Sequence, residues 1–301
     1  MVDMHIHTLY SDGDKSIEEV LRKCEKKKLE YISITDHNTC KGYDDNVFTK
    51  NLFTGKIVMG AEMNAYAYNK RIEFLAYNIK YPEIINEWSN KFYSYEILEE
   101  CFNRDKDKII EICNKNGLKY NLKNIKKDIP VTDFFVVYMY YELIKYEENL
   151  DKMGICVKSF NDFRRSGLEN PNSIFYMGEN NSPKPMYKDV AKVIHKAGGL
   201  VFLAHPFEYK FEDTIGFIDK LKNEIKLDGI ECFHPSSEID NKSSILVEYA
   251  KMNNLYISGG SDFHGDKKPN NNIGIGNGTL NIKKEYIEKW AEPINNKFSN
   301  L

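Results

Sequence analysis

The apolar positions of this chain fall into short strands that alternate with amphipathic helices. Val2–Ile6 is an apolar run, positions 17–28 carry apolar side chains at helical spacing, and positions 31–35 form a β-branched run. Ser16 and Glu19 have the spacing of a capping box at the start of the helix. The pattern therefore predicts a strand, a helix and a strand, which is the βαβ unit of a parallel sheet.

The same pattern returns later in the chain. It predicts strands at positions 56–60, 200–204, 227–233 and 255–258, with an amphipathic helix at 187–196 that ends before two glycines. Repeated units of this length predict an α/β fold, either a barrel or an open doubly wound sheet.

The middle of the chain has a different pattern. Positions 82–185 contain long helical stretches without strand periodicity, which predicts a helical insertion subdomain. The flanking positions, 1–81 and 186–301, would then form one discontinuous barrel, and we expect the insertion to cover its open end. The aromatic helix around 134–146 is interpreted as the core of this subdomain and not as a surface for stacking bases.

Composition narrows the range of partners. The 301 residues include 42 Lys and Arg against 45 Asp and Glu, so the formal net charge of −3 argues against a nucleic-acid partner. The sequence has no apolar run long enough for a membrane span and no secretory signal. The 6 cysteines are scattered, which favours reduced thiols and a cytoplasmic location. Nothing in the sequence indicates an oligomeric state.

Side chains that can bind metal lie at or just after the ends of the predicted strands. The carboxyl ends of parallel strands meet at one edge of a sheet, where ligands and chemistry gather. Residues two apart on an extended segment point to the same side, so His5 and His7 can share one ion, and Asp262 and His264 another. The candidate ligands are His5, His7, Asp12, His37, Glu62, His205, Asp262 and His264.

Eight such groups exceed the needs of one ion, so we expect two or three divalent ions. Imidazoles and carboxylates without cysteine suit Mn²⁺, Fe²⁺, Zn²⁺ or Mg²⁺. Taken singly, each residue could be an ordinary strand, cap or loop side chain, and His195, inside a predicted helix, is interpreted as such. The shared placement of the set at the strand ends is what favours a metal site.

Five stretches of the sequence together resemble the ordered metal motifs of the PHP (polymerase and histidinol phosphatase) phosphoesterase superfamily. These stretches are DMHIHTLYSDG, ISITDHNT, GAEMNA, LAHP and GGSDFHG. The resemblance spans positions 1–78 and 185–281. It implies a distorted seven-stranded (β/α) barrel that holds two or three metal ions, with the eight residues above as ligands and Glu62 as a bridging carboxylate. IHKAGGLVFLAHP and DGIECFHPS resemble the stand-alone members that act on small phosphate esters.

The resemblance also implies roles for residues beside the ligands. Asp36 would orient His37, and His234 would lie near the phosphate. Two departures from the family pattern stand out. Glu73 takes the place of a histidine in many relatives, which puts the third ion in doubt. Glu208 takes the place of a phosphate-binding arginine, so either another cation replaces it or the substrate differs.

The candidates for that cation are Arg164, Arg165, Lys184 and Lys210. The activity we expect is hydrolysis of a small phosphomonoester, including a nucleotide, by a metal-activated water, with Asp36 or His234 as the proton donor to the leaving group. A histidinol-phosphate-type phosphatase and a nuclease acting on nucleic-acid ends are alternatives within the enzymes. A degenerate barrel that binds metal as an interaction or sensor module is the alternative from another class.

Overall fold

The computed structural model describes residues 1–126, 129, 134–178 and 184–294. The strands are β1 (Val2–Ile6), β2 (Tyr31–Ile34), β3 (Lys56–Ile57), β4 (Gly60–Ala67), β5 (Lys70–Tyr77), β6 (Leu200–Leu203), β7 (Gly229–Phe233) and β8 (Tyr256–Gly259). The α-helices are α1 (Ile17–Lys26), α2 (Pro82–Tyr93), α3 (Tyr95–Lys115), α4 (Phe135–Leu143), α5 (Glu147–Met153), α6 (Phe160–Phe163), α7 (Tyr187–Lys196), α8 (Thr214–Glu224), α9 (Lys242–Met252) and α10 (Lys284–Ile287).

These strands form two sheets. β1, β2 and β3 pair in parallel, and β4 to β8 follow one another in a five-stranded sheet. Single bridges join the sheets, one between Ile6 and Phe263 and one between His37 and Glu62. The predicted α/β class is confirmed. The seven-stranded barrel is not confirmed, because eight strands lie in two sheets whose ladders do not close into a ring.

The difference from an all-parallel barrel comes from one hairpin. Positions 56–60 were predicted as one strand, yet β3 is only two residues long and β4 starts anew at Gly60. β4 turns back on β5 through Tyr68 and Asn69, whose φ angles of 50° and 61° give the two-residue turn that suits the twist of a hairpin. Tyr-Asn lacks the Asn-Gly pattern that marks such turns in sequences, so the antiparallel pairs β4–β5 and β5–β6 were not predicted.

Helix α1 follows the sequence pattern closely. Ser16 and Glu19 form the predicted capping box, and the buried residues of α1 include Ile17, Val20 and Leu21. These side chains belong to the main apolar core. Ile6, the last residue of β1, belongs to the same core, so this core anchors the end of the strand that His7 follows.

The chain divides into two compact units, one of Met1–Phe92 with Lys184–Leu301 and one of Tyr93–Pro183. The second unit has its own core, to which α4 contributes Phe135, Met139 and Tyr140. The assignment of 82–185 as an insertion that covers the barrel stays a prediction. Among the described residues, no helix is both long enough and apolar enough to cross a membrane. All six cysteines are free thiols.

Asp3 connects the start of the chain to the loop after β8. Its buried carboxylate accepts hydrogen bonds from the backbone N–H of Ser261 at 2.9 Å, from the Ser261 hydroxyl at 2.6 Å and from the N–H of Gly274 at 2.7 Å. Burial raises the pKa of Asp3, although these hydrogen bonds oppose the shift. The carboxylate therefore holds β1 beside the segment that carries Asp262.

Replacing Asp3 by Ala should destabilise the protein by about 3 kcal/mol, because it leaves buried donors without an acceptor. The measurement is the urea concentration at the unfolding midpoint, followed by circular dichroism. Asp44→Ala removes an exposed aspartate of the same unit and should leave the midpoint unchanged. Equal midpoints for Asp3→Ala and the wild type would contradict this role of Asp3.

Candidate metal centre

His5 and His7 meet at the carboxyl end of β1. Their Nε2 atoms lie 3.0 Å apart, and both side chains are completely buried. The alternation of side chains along an extended segment places both rings on one face. Gly260 packs directly against His5, since a Cβ at position 260 would lie 2.3 Å from the backbone nitrogen of His5. A larger residue at position 260 would displace His5.

Two carboxylates complete a first group around these rings. Oε2 of Glu62 lies 3.3 Å from Nε2 of His5 and 3.2 Å from Nε2 of His7. Oδ1 of Asp262 lies 3.6 Å and 3.4 Å from the same two atoms. The ligand atoms of His5, His7 and Asp262 therefore lie close enough together to hold one ion, and Glu62 contacts the two rings beside them.

A second group of potential ligand atoms also contacts Glu62. Its Oε1 is 2.9 Å from Nε2 of His205, and its Oε2 is 3.2 Å from Nδ1 of His37. Oε2 of Glu73 lies 3.3 Å from Nε2 of His205. The carboxylate of Glu62 thus contacts members of both groups, His5, His7 and His37 through Oε2 and His205 through Oε1, as expected of a bridging ligand. Glu73, the residue that departs from the family pattern, belongs to the second group.

Asp12 lies at the centre of a third group of potential ligands. Its Oδ1 lies 3.1 Å from Nε2 of His264 and 3.5 Å from Nδ1 of His7, and its Oδ2 lies 3.6 Å from Nε2 of His37. One ligand atom from each of these four residues fits within a span of 4.8 Å. The structure therefore brings together all eight residues proposed as ligands, in three overlapping groups.

Two of these residues have a strained backbone. His205 has a φ angle of 21° and Asp262 a φ angle of 52°, both in the left-handed region that costs a non-glycine residue about 1–3 kcal/mol. The backbone N–H of His205 is held by Oε2 of Glu231 at 2.8 Å, and the carbonyl of Asp262 accepts from Asn271 at 3.2 Å. Such strain occurs most often at functional sites.

Glu231 was missed by the sequence analysis. It is completely buried in β7, and its Oε1 lies 2.9 Å from Nδ1 of His5. A carboxylate on the far nitrogen of a histidine fixes the ring so that its other nitrogen faces the metal. The available signal was an acidic residue in the middle of the apolar strand GIECF, where a charge needs a partner.

Asp36 is bonded to the loop after β1. It accepts hydrogen bonds from the N–H of Thr8 at 2.7 Å, from the Thr8 hydroxyl at 2.6 Å and from the Ser11 hydroxyl at 2.6 Å. These contacts fix the segment that leads to Asp12. They differ from the predicted contact with His37, and they leave the proposed role of Asp36 in proton transfer without support from the geometry.

His234 faces the first group from β7. Its Nδ1 accepts from the N–H of Ser236 at 3.1 Å, and its Nε2 lies 3.6 Å from Oδ2 of Asp262. Because Nδ1 accepts, the neutral ring carries its proton on Nε2. Glu208, the residue in place of the family's arginine, is half-exposed, with Oε1 3.8 Å from Nδ1 of His234.

The basic residues proposed for phosphate binding have other neighbours. Arg164 and Arg165 lie in the helical segment Arg164–Leu168 of the second unit, and Arg164 forms an ion pair with Glu169 at 2.6 Å. The ammonium group of Lys184 lies 4.6 Å from the centre of the Tyr66 ring. Their contact with a substrate stays a prediction.

Burial and the neighbouring carboxylates shift the pKa values of the clustered histidines in opposite directions. Burial lowers the pKa of His37. Burial also opposes the charged form of His5, but the neighbouring Glu231 and Glu62 raise the pKa of His5 well above its usual value. Burial acts in the same sense on His7, yet hydrogen bonds to two carboxylates raise its pKa to about 9. The site therefore attracts positive charge strongly.

The pKa values of two buried carboxylates, Glu62 and Asp262, are lowered by the positive charges near them. Burial would raise the pKa of Glu62, but the charges of His5 and His37 lower it well below its usual value. Burial likewise opposes the ionised form of Asp262, and the charge of Lys268 lowers its pKa. These acids are ionised at neutral pH and available as ligands.

The residues fit divalent metal ions. Buried ring nitrogens of His37, His234 and His264 have no hydrogen-bond partner within the part of the chain that the structure describes. Such atoms are rare unless they serve a ligand or an ion. Imidazole nitrogens and carboxylate oxygens, with no thiolate in any of the groups, are the donors preferred by Mn²⁺, Fe²⁺ and Zn²⁺.

Comparison with known families decides which family this is. The model of the PHP domain matches residues 3–199, which is more than half of the chain. The chain belongs to the PHP domain family. The segment matched includes the ligand candidates from β1 to β5, while His205, Asp262 and His264 lie beyond it. The structure supplies their connection to the rest of the site.

Individual PHP relatives are distant in sequence. The chain is 23% identical over 278 residues to the phosphoribosyl 1,2-cyclic phosphate 1,2-diphosphodiesterase of Eggerthella lenta, covering 87% of this chain and 94% of that one. It is 24% identical over 275 residues to a 5′-3′ exoribonuclease of Haemophilus influenzae, covering 87% and 89%. A proposed metal-dependent phosphoesterase from Bifidobacterium adolescentis has the same fold, with a TM-score of 0.66, 20% identity and coverage of 96% and 94%.

Membership of the PHP family confirms the class of activity predicted from the sequence motifs. The protein is a metal-dependent phosphoester hydrolase. Divalent metal is thereby implied, and the groups of histidines and carboxylates described above are where it would bind.

Replacing Glu62 by Ala should remove most of the bound divalent metal, because this carboxylate faces both groups of ligand atoms. The measurement is elemental analysis of protein that was purified without chelator and then incubated with Mn²⁺. The control is His195→Ala, which removes a histidine that pairs with Asp228 away from the site. Unchanged metal content in Glu62→Ala would contradict the bridging position.

Replacing Glu231 by Gln should weaken metal binding about 10- to 100-fold, because the amide cannot orient the His5 ring as a carboxylate does. Competition with a chelator measures the dissociation constant. Glu248→Gln, an exposed position on α9, serves as the matched control. An affinity within the error of the wild type would show that Glu231 has no effect on the metal.

Proposed function

We propose that this PHP protein hydrolyses a small phosphomonoester, with nucleotides among the candidate substrates, and that it uses two or three divalent ions for this reaction. The supporting observation is that one carboxylate, Glu62, contacts four histidines: its Oε2 lies within 3.3 Å of His5, His7 and His37, and its Oε1 lies 2.9 Å from His205. Two ions that share one carboxylate are a common arrangement for phosphoester hydrolysis. The ions proposed are Mn²⁺, Fe²⁺ or Zn²⁺, with Mg²⁺ as the alternative.

We also infer that the two sheets are a distorted form of the seven-stranded barrel. The bridges from Ile6 to Phe263 and from His37 to Glu62 support this, because each links an end of one sheet to the other. β8 also lies beside β1. The ligand residues then line the end of such a barrel where the strands finish.

Divalent ions at this position supply an activated water and neutralise the charge on the phosphoryl oxygens. The chain itself must position the ions, hold the phosphate and provide a proton for the leaving oxygen. His234 is the proton donor that the geometry supports better than Asp36. Its Nε2 is buried and faces Asp262 at 3.6 Å, whereas the oxygens of Asp36 are hydrogen-bonded to Thr8 and Ser11. To act as the acid, His234 would be the imidazolium, so that Nε2 gives its proton to the leaving oxygen and the ring becomes neutral. Its Nδ1–H would then donate to the Ser236 hydroxyl, 2.7 Å away.

A phosphodiester is the second candidate for the substrate class. The relatives from Eggerthella lenta and Haemophilus influenzae, named for a cyclic phosphate and for RNA, each align with 87% of this chain. The net charge of −3 favours a small ester over a polyanion such as RNA, because binding of nucleic acid depends on neutralising many phosphates. A histidinol-phosphate-type substrate remains a narrower alternative among the monoesters.

The deciding experiment offers the Mn²⁺-loaded protein a panel of esters and measures product release. The panel contains 5′- and 3′-mononucleotides, histidinol phosphate, a ribose 1,2-cyclic phosphate and a 5′-phosphorylated RNA oligonucleotide. We expect the highest kcat/KM for a mononucleotide, and we expect a chelator to abolish turnover. Preference for the cyclic ester or the RNA would favour the second candidate. A protein that binds two ions and hydrolyses none of the panel would favour the sensor module.

The same assay tests the proton donor. His234→Ala should lower kcat by about 10²- to 10⁴-fold, since it removes general acid catalysis. Its metal content should equal that of the wild type, because the potential ligand atoms around Glu62 and Asp12 come from other residues. The loss should be smaller for an ester with a leaving group that needs no proton, such as 4-nitrophenyl phosphate. An equal loss on both esters would show that His234 does not donate the proton.

A further inference from the structure

The two oxygens of Asp262 face different surroundings. Oδ1 faces the rings of His5 and His7, at 3.6 Å and 3.4 Å. Oδ2 faces Nε2 of His234 at 3.6 Å and accepts a hydrogen bond from Nζ of Lys268 at 2.5 Å. Oδ2 of Asp262 therefore has two N–H groups near it, one from His234 just after β7 and one from Lys268 in the loop after His264.

The loop that carries Lys268 is fixed at both ends. On one side, the N–H of Asp266 donates to Oδ2 of Asp14 at 2.9 Å, and Lys15 pairs with Asp266 at 2.6 Å. On the other side, Asn271 donates to the carbonyl of Asp262 at 3.2 Å. The ammonium group is therefore brought to the metal centre by the fold and is not a freely moving surface charge. Its side chain is 45% exposed, so an incoming anion can reach it.

A phosphate at this centre needs a cation from the protein. A terminal phosphate keeps about one to two negative charges near neutral pH, and the position after His205 where relatives have arginine carries Glu208 in this chain. The other basic side chain beside the described metal centre, Arg71, donates to Glu73 at 2.6 Å and to Asn64 at 2.7 Å. Only Lys268 contacts the same oxygen atom that His234 faces, within the described residues.

We propose that Lys268 binds a terminal oxygen of the substrate's phosphate and so takes the place of the missing arginine, while Nε2 of His234, which faces the same oxygen of Asp262, protonates the leaving oxygen. This inference rests on the proposed phosphomonoesterase function and deepens it. An ammonium group is a point charge, so it favours the dianion of a monoester over the single charge of an internal diester. In the free protein the ammonium pairs with Oδ2 of Asp262, and it shares its three N–H donors with the phosphate when the substrate binds.

The first test measures binding without turnover. Isothermal titration of inorganic phosphate into the Mn²⁺-loaded protein compares the wild type with Lys268→Met, Lys268→Arg and Lys267→Met. Lys267 is the adjacent exposed lysine, and its variant is the matched control. We expect Lys268→Met to weaken phosphate binding about 10-fold or more, since a charge-assisted hydrogen bond is lost. Lys268→Arg should keep most of the affinity, and Lys267→Met all of it.

Elemental analysis of the same samples separates two roles for the lysine. If Lys268 only neutralises Asp262, then Lys268→Met will change metal content and phosphate affinity in parallel. That result would overturn the proposal, as would an unchanged dissociation constant for phosphate in Lys268→Met. No phosphate binding by the Mn²⁺-loaded wild type would overturn it too. A loss of phosphate binding in a double Arg164→Met, Arg165→Met variant, with Lys268→Met unaffected, would assign the cation to the second unit instead.

The second test uses the best ester from the substrate panel. Lys268→Met should raise KM about 10-fold and lower kcat much less, because the lysine binds the phosphate in the ground state as well as in the transition state. If the wild type hydrolyses no ester, the proposed function fails, while the titration with inorganic phosphate still decides the role of Lys268. The two hypotheses can therefore fail separately.

Discussion

The position of the Glu62 carboxylate is the constraint on which the rest of the metal centre depends. Burying a carboxylate is costly unless charges and hydrogen bonds compensate for it. The rings of His5, His7, His37 and His205 all lie within 3.3 Å of its oxygens. β4 brings Glu62 to this point because it begins a new strand at Gly60, and the bridge between His37 and Glu62 ties that strand to the end of β2.

A second set of buried carboxylates holds this arrangement in place from outside. Glu231 fixes the ring of His5, Asp3 holds the loop that leads to Asp262, and Asp36 holds the loop that leads to Asp12. Each accepts hydrogen bonds from the backbone or from a ring, so the cost of burying its charge is offset locally. Because each acts on a different ligand residue, the ligand positions are set by the fold before any ion binds.

The sequence predicted the parts of this protein that depend on local patterns. β1, α1 and β2 could be predicted because periodicity and a capping box are local patterns, and the eight candidate ligands could be grouped because they follow strand ends. The β4–β5 hairpin was missed because Tyr68 and Asn69 adopt positive φ angles without the usual glycine. Glu231 and Lys268 were missed because their partners, His5 and Asp262, are chosen by tertiary packing, and Lys268 sits in a loop whose anchors lie far away in the sequence.

The charges at the metal centre also bear on whether metal ions or the phosphate bind first. Asp12, Glu62, Glu73 and Asp262 are acidic, Glu208 adds a charge nearby, and two of these five acids stand where many relatives have a basic or neutral residue. A phosphate dianion approaching these carboxylates without metal ions would be repelled, because like charges within a few ångströms of each other are weakly screened in a buried site. The two divalent ions that we propose would offset four of these five negative charges. With Glu73 and Glu208 among the five, we expect phosphate binding to depend on prior metal binding and on the cation that contacts Oδ2 of Asp262, Lys268.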